Sequence, residues 1–207
     1  MAKRVEGRSD RLLECAMSEF MEMGYQEASL RVIAAKADTT TGSIYTRFRD
    51  KEGLFHALVD ETVDELILWM RAGNDAFANQ PAGEQRETVF TYKPEIWEQL
   101  VDYIYAHWNV FRLLARCTDI GCYEEMLNRM IDIEVVYTRK FLEATGNDAM
   151  ERGRLTPMLL HMLSNAYYSG LFEIVRHGMT KGEAVSYVNQ LRRFFTQGWA
   201  DLLGIKP

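Results

Sequence analysis

Four prolines, Pro81, Pro94, Pro157 and Pro207, are all that interrupt 207 residues. Proline removes an amide donor and clashes with the preceding turn, so its scarcity leaves long stretches open to helix formation. Along those stretches apolar residues recur at three- and four-residue intervals and few segments alternate with period two, which predicts an all-α fold. Hydrophobic residues make up 47% and charged residues 26%, enough apolar material for a core, so disorder is not expected. The length suits one small and one medium domain, with the boundary expected at residues 1–52 and 53–207.

The periodicity predicts about nine helices. Leu12, Leu13, Ala16, Met17 and Phe20 mark a first helix from about Ser9, stopped by Gly24. Ser29 is expected to cap a second, with Leu30, Ile33, Ala34 and Ala37 on one face. Asp38 and the run Thr39, Thr40 and Thr41 form a polar break that turns the chain and caps a third, two-turn helix burying Ile44 and Phe48. Asp50 is placed to cap a fourth that runs to about Phe77, roughly 40 Å at ~1.5 Å per residue. Residues 78–94 read as a connection holding one helical turn. Helices follow over Glu95 to Tyr105, His107 to Cys117, Tyr123 to Ala144, Leu155 to His177 and Thr180 to Leu203.

Charge separates along this frame. Residues 1–52 carry nine Lys/Arg against nine Asp/Glu, so the net charge of -6 belongs entirely to the remainder. Lys3, Arg4, Arg8 and Arg11 at one end of that segment, and Arg47, Arg49 and Lys51 at the other, form local basic patches suited to phosphate. Two short helices joined by a tight turn are what entry into a DNA major groove requires. Ile33, Ala34, Ile44 and Phe48 would lock the pair, leaving Thr40, Thr41, Gly42, Tyr45 and Thr46 free to meet base edges, with glycine allowing close backbone approach. Ser29, Arg31, Ser43, Arg47 and Lys51 are placed to grip phosphates and fix register.

The run from Ser29 through Leu54, with Tyr25 after Gly24, the Ile33–Ala34 pair, Gly42, Tyr45, Phe48 and the Lys51–Glu52 pair, resembles the DNA-binding signature of the TetR family of transcriptional regulators. The likeness covers roughly Arg8 to Val59. It departs at Asp38 and Thr39, where the family usually has glycine and an aliphatic residue, and at Thr41, where a basic residue often stands. The resemblance implies a homodimer formed by the last two helices, read here onto Met158, Met162, Leu171, Val188, Leu191 and Phe195, and a pseudo-palindromic double-stranded operator. It also implies a small-molecule effector site in the C-terminal domain, for which Trp69, Tyr103, Trp108, Phe111, Met130, Met162 and Tyr167 are the candidates. Repression relieved by the effector is the implied mechanism. A DNA-binding regulator without small-molecule response is the alternative.

Catalysis is not expected: there is no Gly-rich phosphate loop, no nucleophile elbow, and no zinc spacing among His56, His107, His161 and His177. No cofactor or metal is called for. The charged start lacks the apolar stretch of a secretory signal, and no run of about 18 apolar residues suggests a membrane span, so a cytoplasmic location is expected. Cys15, Cys117 and Cys122 cannot all pair and read as free thiols, with a Cys117–Cys122 redox switch as the less favoured reading.

Overall fold

A computed structural model of the protein describes residues 2–92 and 95–206, with backbone alone for 2–9. The side chains of Lys3, Arg4 and Arg8 in the expected basic patch, and Lys93, Pro94 and Pro207, lie outside the described residues. Among the described residues the elements are ten α-helices and one 3-10 turn, with no strand: α1 (Ala2–Glu27), α2 (Leu30–Lys36), α3 (Thr41–Phe48), α4 (Lys51–Ala78), α5 (Ala82–Thr88), α6 (Ile96–Ala106), α7 (Trp108–Arg116), the turn Thr118–Ile120, α8 (Cys122–Thr145), α9 (Pro157–Arg176) and α10 (Lys181–Leu203). The first helix begins seven residues before the expected Ser9, and Gly24 breaks it at φ 78, a conformation costly to any residue with a Cβ. The helix beyond the nine expected is α5. Pro81 starts it and the buried Gln85 amide donates to the carbonyls of Ala78 and Gln80, which fixes as helix a segment expected to be mostly loop.

The chain divides into two compact units, Met1–Glu65 with His107–Glu124, and Leu66–Ala106 with Glu125–Pro207. The first therefore extends beyond residue 52 and takes in α7. Its core joins Leu12, Ala16 and Phe20 of α1 to Ile33, Ile44, Leu54 and Phe55, all buried. Phe20, Tyr25 and Phe55 pack ring to ring, with Phe20 edge-on to Phe55 at 5.4 Å and Tyr25 edge-on to Phe55 at 5.6 Å. Arg116 of α7 donates to the Glu22 carbonyl at 3.0 Å, tying α7 to the end of α1.

The second unit packs α10 against α6 and α9. Phe141, Leu142, Leu155, Leu160 and Leu203 form one of its buried clusters. Asp148 anchors the loop after α8: it accepts from Arg152 at 2.5 Å and Arg154 at 2.6 Å, and Arg154 also donates to the Leu202 carbonyl at 3.0 Å. Those guanidiniums hold the Asp148 carboxyl below the usual carboxylate range. Thr180 and Glu183 make the reciprocal cap that starts α10. Among the described residues no helix is long and apolar enough to cross a membrane. The three cysteines are free thiols, and Cys117 is held well inside, its thiol pushed up by burial.

Candidate nucleic-acid interface and cavity

The α2–α3 pair is held from behind by two ion pairs. Glu19 of α1 is buried, accepting from the Lys36 ammonium at 2.9 Å and from the Ser29 backbone amide at 3.3 Å. Ser29 occupies the position that starts α2, yet its hydroxyl makes no cap; its own amide donates to the Glu19 carboxylate. At the turn between the helices Asp38 takes φ 50, the left-handed conformation that favours glycine, and Arg11 pairs with its carboxylate at 3.0 Å while also reaching the Lys36 carbonyl. Thr40 then starts α3, its hydroxyl accepting from the Ser43 amide at 3.2 Å. Arg49 turns the chain after α3 at φ 69. Asp50 caps α4 by accepting from the Gly53 amide at 2.7 Å, as its position predicts, and a methyl at 53 would lie 1.9 Å from the Phe48 carbonyl oxygen, so this junction needs glycine.

With Ile44 fully buried, α3 presents its other side outward: Thr40, Gly42, Tyr45, Thr46 and Arg47 are exposed, Tyr45 by 54%, and Thr41 and Ser43 are half-buried beside them. The Thr46 hydroxyl donates back to the Gly42 carbonyl at 2.8 Å. A methyl at 42 would meet nothing nearer than the Thr40 hydroxyl at 3.8 Å, so internal packing does not demand this glycine. Arg31 is exposed on α2. Lys51 differs from the rest. Its ammonium donates to the carbonyls of Gln26 and Ala28, each at 2.9 Å, and sits 4.9 Å from the Tyr25 ring centroid, so it closes the chain break after Gly24.

The second unit encloses a cavity of about 610 Å³. Trp69 and Phe77 of α4, Trp97 of α6 and Phe141 of α8 supply part of its wall. Tyr167 and Tyr168 of α9 with Arg192, Phe195 and Trp199 of α10 supply more. Of the two acids in this lining, Glu95 is exposed and Glu134 of α8 is half-buried, accepting from the Tyr168 hydroxyl at 3.1 Å. Burial pushes the Glu134 carboxyl above the ordinary carboxylate range, and hydrogen bonds from Tyr168 and Thr138 offset part of that rise. The Tyr167 hydroxyl is buried without a hydrogen-bond partner, and burial together with the Glu134 charge raises that phenol far above its ordinary value.

Residues 12–58 match the family of bacterial regulatory proteins known as the tetR family. The match covers the helices that build and brace the exposed side of α3. Over those residues the chain carries the DNA-binding region of the TetR family. Among TetR-family proteins of known structure, a TetR-like transcriptional regulator from a Rhodococcus species superposes with a TM-score of 0.58 at 19% identity, covering 95% of this chain and 96% of that one. The regulator PfmR from Thermus thermophilus superposes at 0.51 and 17%, over 88% and 97%. Both share the fold. The HTH-type transcriptional repressor ComR of Escherichia coli is 26% identical over 114 residues, 55% of this chain and 46% of ComR, so the match spans about half of ComR. The HTH-type transcriptional regulator YhgD of Bacillus subtilis is 24% identical over 155 residues, 72% of this chain and 73% of YhgD.

Against that TetR-family frame, Trp69 and Tyr167 of the seven cavity candidates line the cavity. The other five do not. Met130 is fully buried in packing and Met162 is exposed on α9, while Trp108 and Phe111 belong to the first unit and Tyr103 falls outside the lining. Of the six dimer candidates, Met158 and Met162 are exposed, but Leu171 and Val188 are buried within the chain and so cannot offer a surface. Leu191 is half-buried against Gly170, and Phe195 faces Tyr167 and the cavity. Phe194, one residue earlier on the same apolar stripe, is 75% exposed.

Proposed function

We propose that this chain is a sequence-specific regulator of the TetR family that reads double-stranded DNA with α3 and is released by a small molecule held in the second unit. The observation that carries the first half is the outward polar side of α3, with Ile44 fully buried behind it and Tyr45 half in solvent. Thr40, Thr41, Gly42, Tyr45 and Thr46 would meet base edges, and a glycine that internal packing does not demand suits close approach to the groove. Ser29, Arg31, Ser43 and Arg47 would position the helix on phosphates; Lys51 would support them by holding the start of α4 in place. The exposed Met158, Met162 and Phe194 support a homodimer that sets two such helices on a pseudo-palindromic operator, with half-sites about one helical turn apart or a multiple of it.

The cavity supports the second half. Its volume lies within the range of small-molecule sites, roughly 300–1,000 Å³. An effector favouring a conformation that fits the operator poorly would weaken DNA binding through a coupling of about 1–3 kcal/mol. Repression is the proposed sense, in keeping with ComR, a repressor by name. The test is selection of bound duplexes from random DNA by the purified protein, followed by competition at rising salt. Enrichment of an inverted repeat is the expected result; failure to retain any duplex at low salt would refute the reading.

A further inference from the structure

Eleven aromatic side chains line the cavity with two acids, the exposed Glu95 and the half-buried Glu134. Glu134 stands on α8 within the apolar row formed by Leu127, Met130, Ile131 and Phe141, where a charged group has no packing reason to be. Its partners within the chain are two hydroxyl groups, Tyr168 at 3.1 Å and Thr138, and among the described residues no cation pairs with it. Next to it, the ring of Tyr167 lines the same cavity with its hydroxyl unpartnered. A carboxylate withdrawn among aromatic rings without a counter-charge loses part of its solvation, a cost that a cation in the cavity would offset.

Resting on the effector reading above, we infer that the cavity takes an amphipathic organic cation, its ammonium group against Glu134 and its apolar body among Trp97, Phe195 and Trp199. An ammonium N–H donates to the carboxylate and brings it the counter-charge it lacks. Aromatic faces carry the negative side of the ring quadrupole, so the walls attract a cation and not an anion. Arg192 also lines the cavity, on α10, and a carboxylate ligand seated against that guanidinium is the rival arrangement. No ion pair joins that guanidinium to Glu134 among the described residues, whereas Glu134 accepts from the Tyr168 hydroxyl at 3.1 Å.

A matched series on one scaffold tests this: 3,3-diphenylpropylamine, 3,3-diphenylpropanol and 3,3-diphenylpropanoic acid, titrated into the full-length protein by quenching of the tryptophans that line the cavity. The amine is expected to bind at least tenfold more tightly than the alcohol, and the acid most weakly. Glu134→Gln should weaken the amine at least tenfold and leave the alcohol unchanged. Tightest binding by the acid with dependence on Arg192, equal binding of all three, no binding of the amine, or a Glu134→Gln protein that binds it as before would each overturn the inference. DNA release is measured in parallel by fluorescence anisotropy of an operator duplex. Glu134-dependent binding of the amine without DNA release upholds the inference and sinks the effector reading; release by the alcohol or acid alone does the reverse.

Discussion

Replacing Lys51 with alanine separates two jobs that one ammonium could do, gripping phosphate or closing the chain behind Gly24. The geometry favours the second, because Nζ donates to two carbonyls at 2.9 Å and rests against the Tyr25 ring. A hydrogen bond involving a charged group contributes about 1.5–3 kcal/mol, and since water recovers part of two half-exposed carbonyls, the expected loss for the pair is about 2 kcal/mol. In a protein of this size that corresponds to a Tm lowered by roughly 4–8 °C. DNA affinity should fall as well, through a loosened start of α4. The salt dependence distinguishes the cases: Lys51→Ala should keep the wild-type slope of log affinity against log salt, whereas Arg47→Ala should flatten it by about one unit with Tm unchanged. Melts followed by circular dichroism and anisotropy titrations at several salt concentrations supply both readouts. A Lys51→Ala protein that melts like the wild type and shows the flattened slope would refute the reasoning.

Tyr45→Ala removes a side chain that is 54% exposed, so operator affinity should drop at least tenfold in an anisotropy titration while the melting temperature stays put. Thr180→Ala deletes half of the reciprocal cap on α10 and should cost about 1 kcal/mol in a urea melt, with Thr180→Ser recovering most of it. Glu134→Gln should stabilise the ligand-free protein near neutral pH. The sign follows from linkage: the folded state holds the Glu134 proton more tightly than the unfolded chain, so wild-type stability declines as pH rises from the ordinary carboxylate range through the raised folded value, and Glu134→Gln lacks that decline in pH-dependent melts.

Helix placement is largely legible in the sequence because helical periodicity is a strong signal wherever glycine or a capping residue marks the end. Gly24, Asp50, Thr180 and the stripe of α4 behave as their neighbours predict. The periodicity misleads where a polar residue does an apolar residue's job. Glu19 falls in register with Leu12, Ala16 and Phe20, and Glu134 in register with Met130, Ile131 and Phe141; in both the stripe is visible while the acid within it draws no notice. An acid at a core-facing position is itself a signal that something must meet it, Lys36 in one instance and a cavity in the other. Cavity lining is less legible still, since Trp69 and Met130 look alike along the chain, and only the packing of helices far apart in sequence separates a wall from a filled core.

The turn at Asp38 has a consequence for how such chains diverge. A residue with a Cβ at φ 50 carries a local penalty that glycine escapes, and here the guanidinium of Arg11, twenty-seven positions away, leans on the carboxylate that occupies the place. The ion pair offsets part of that penalty, by up to about 1 kcal/mol, so each residue favours the other. Among descendants of a common ancestor they should be gained and lost as a couple: lineages with glycine at the turn should drift freely at position 11, and lineages with aspartate should keep an arginine there.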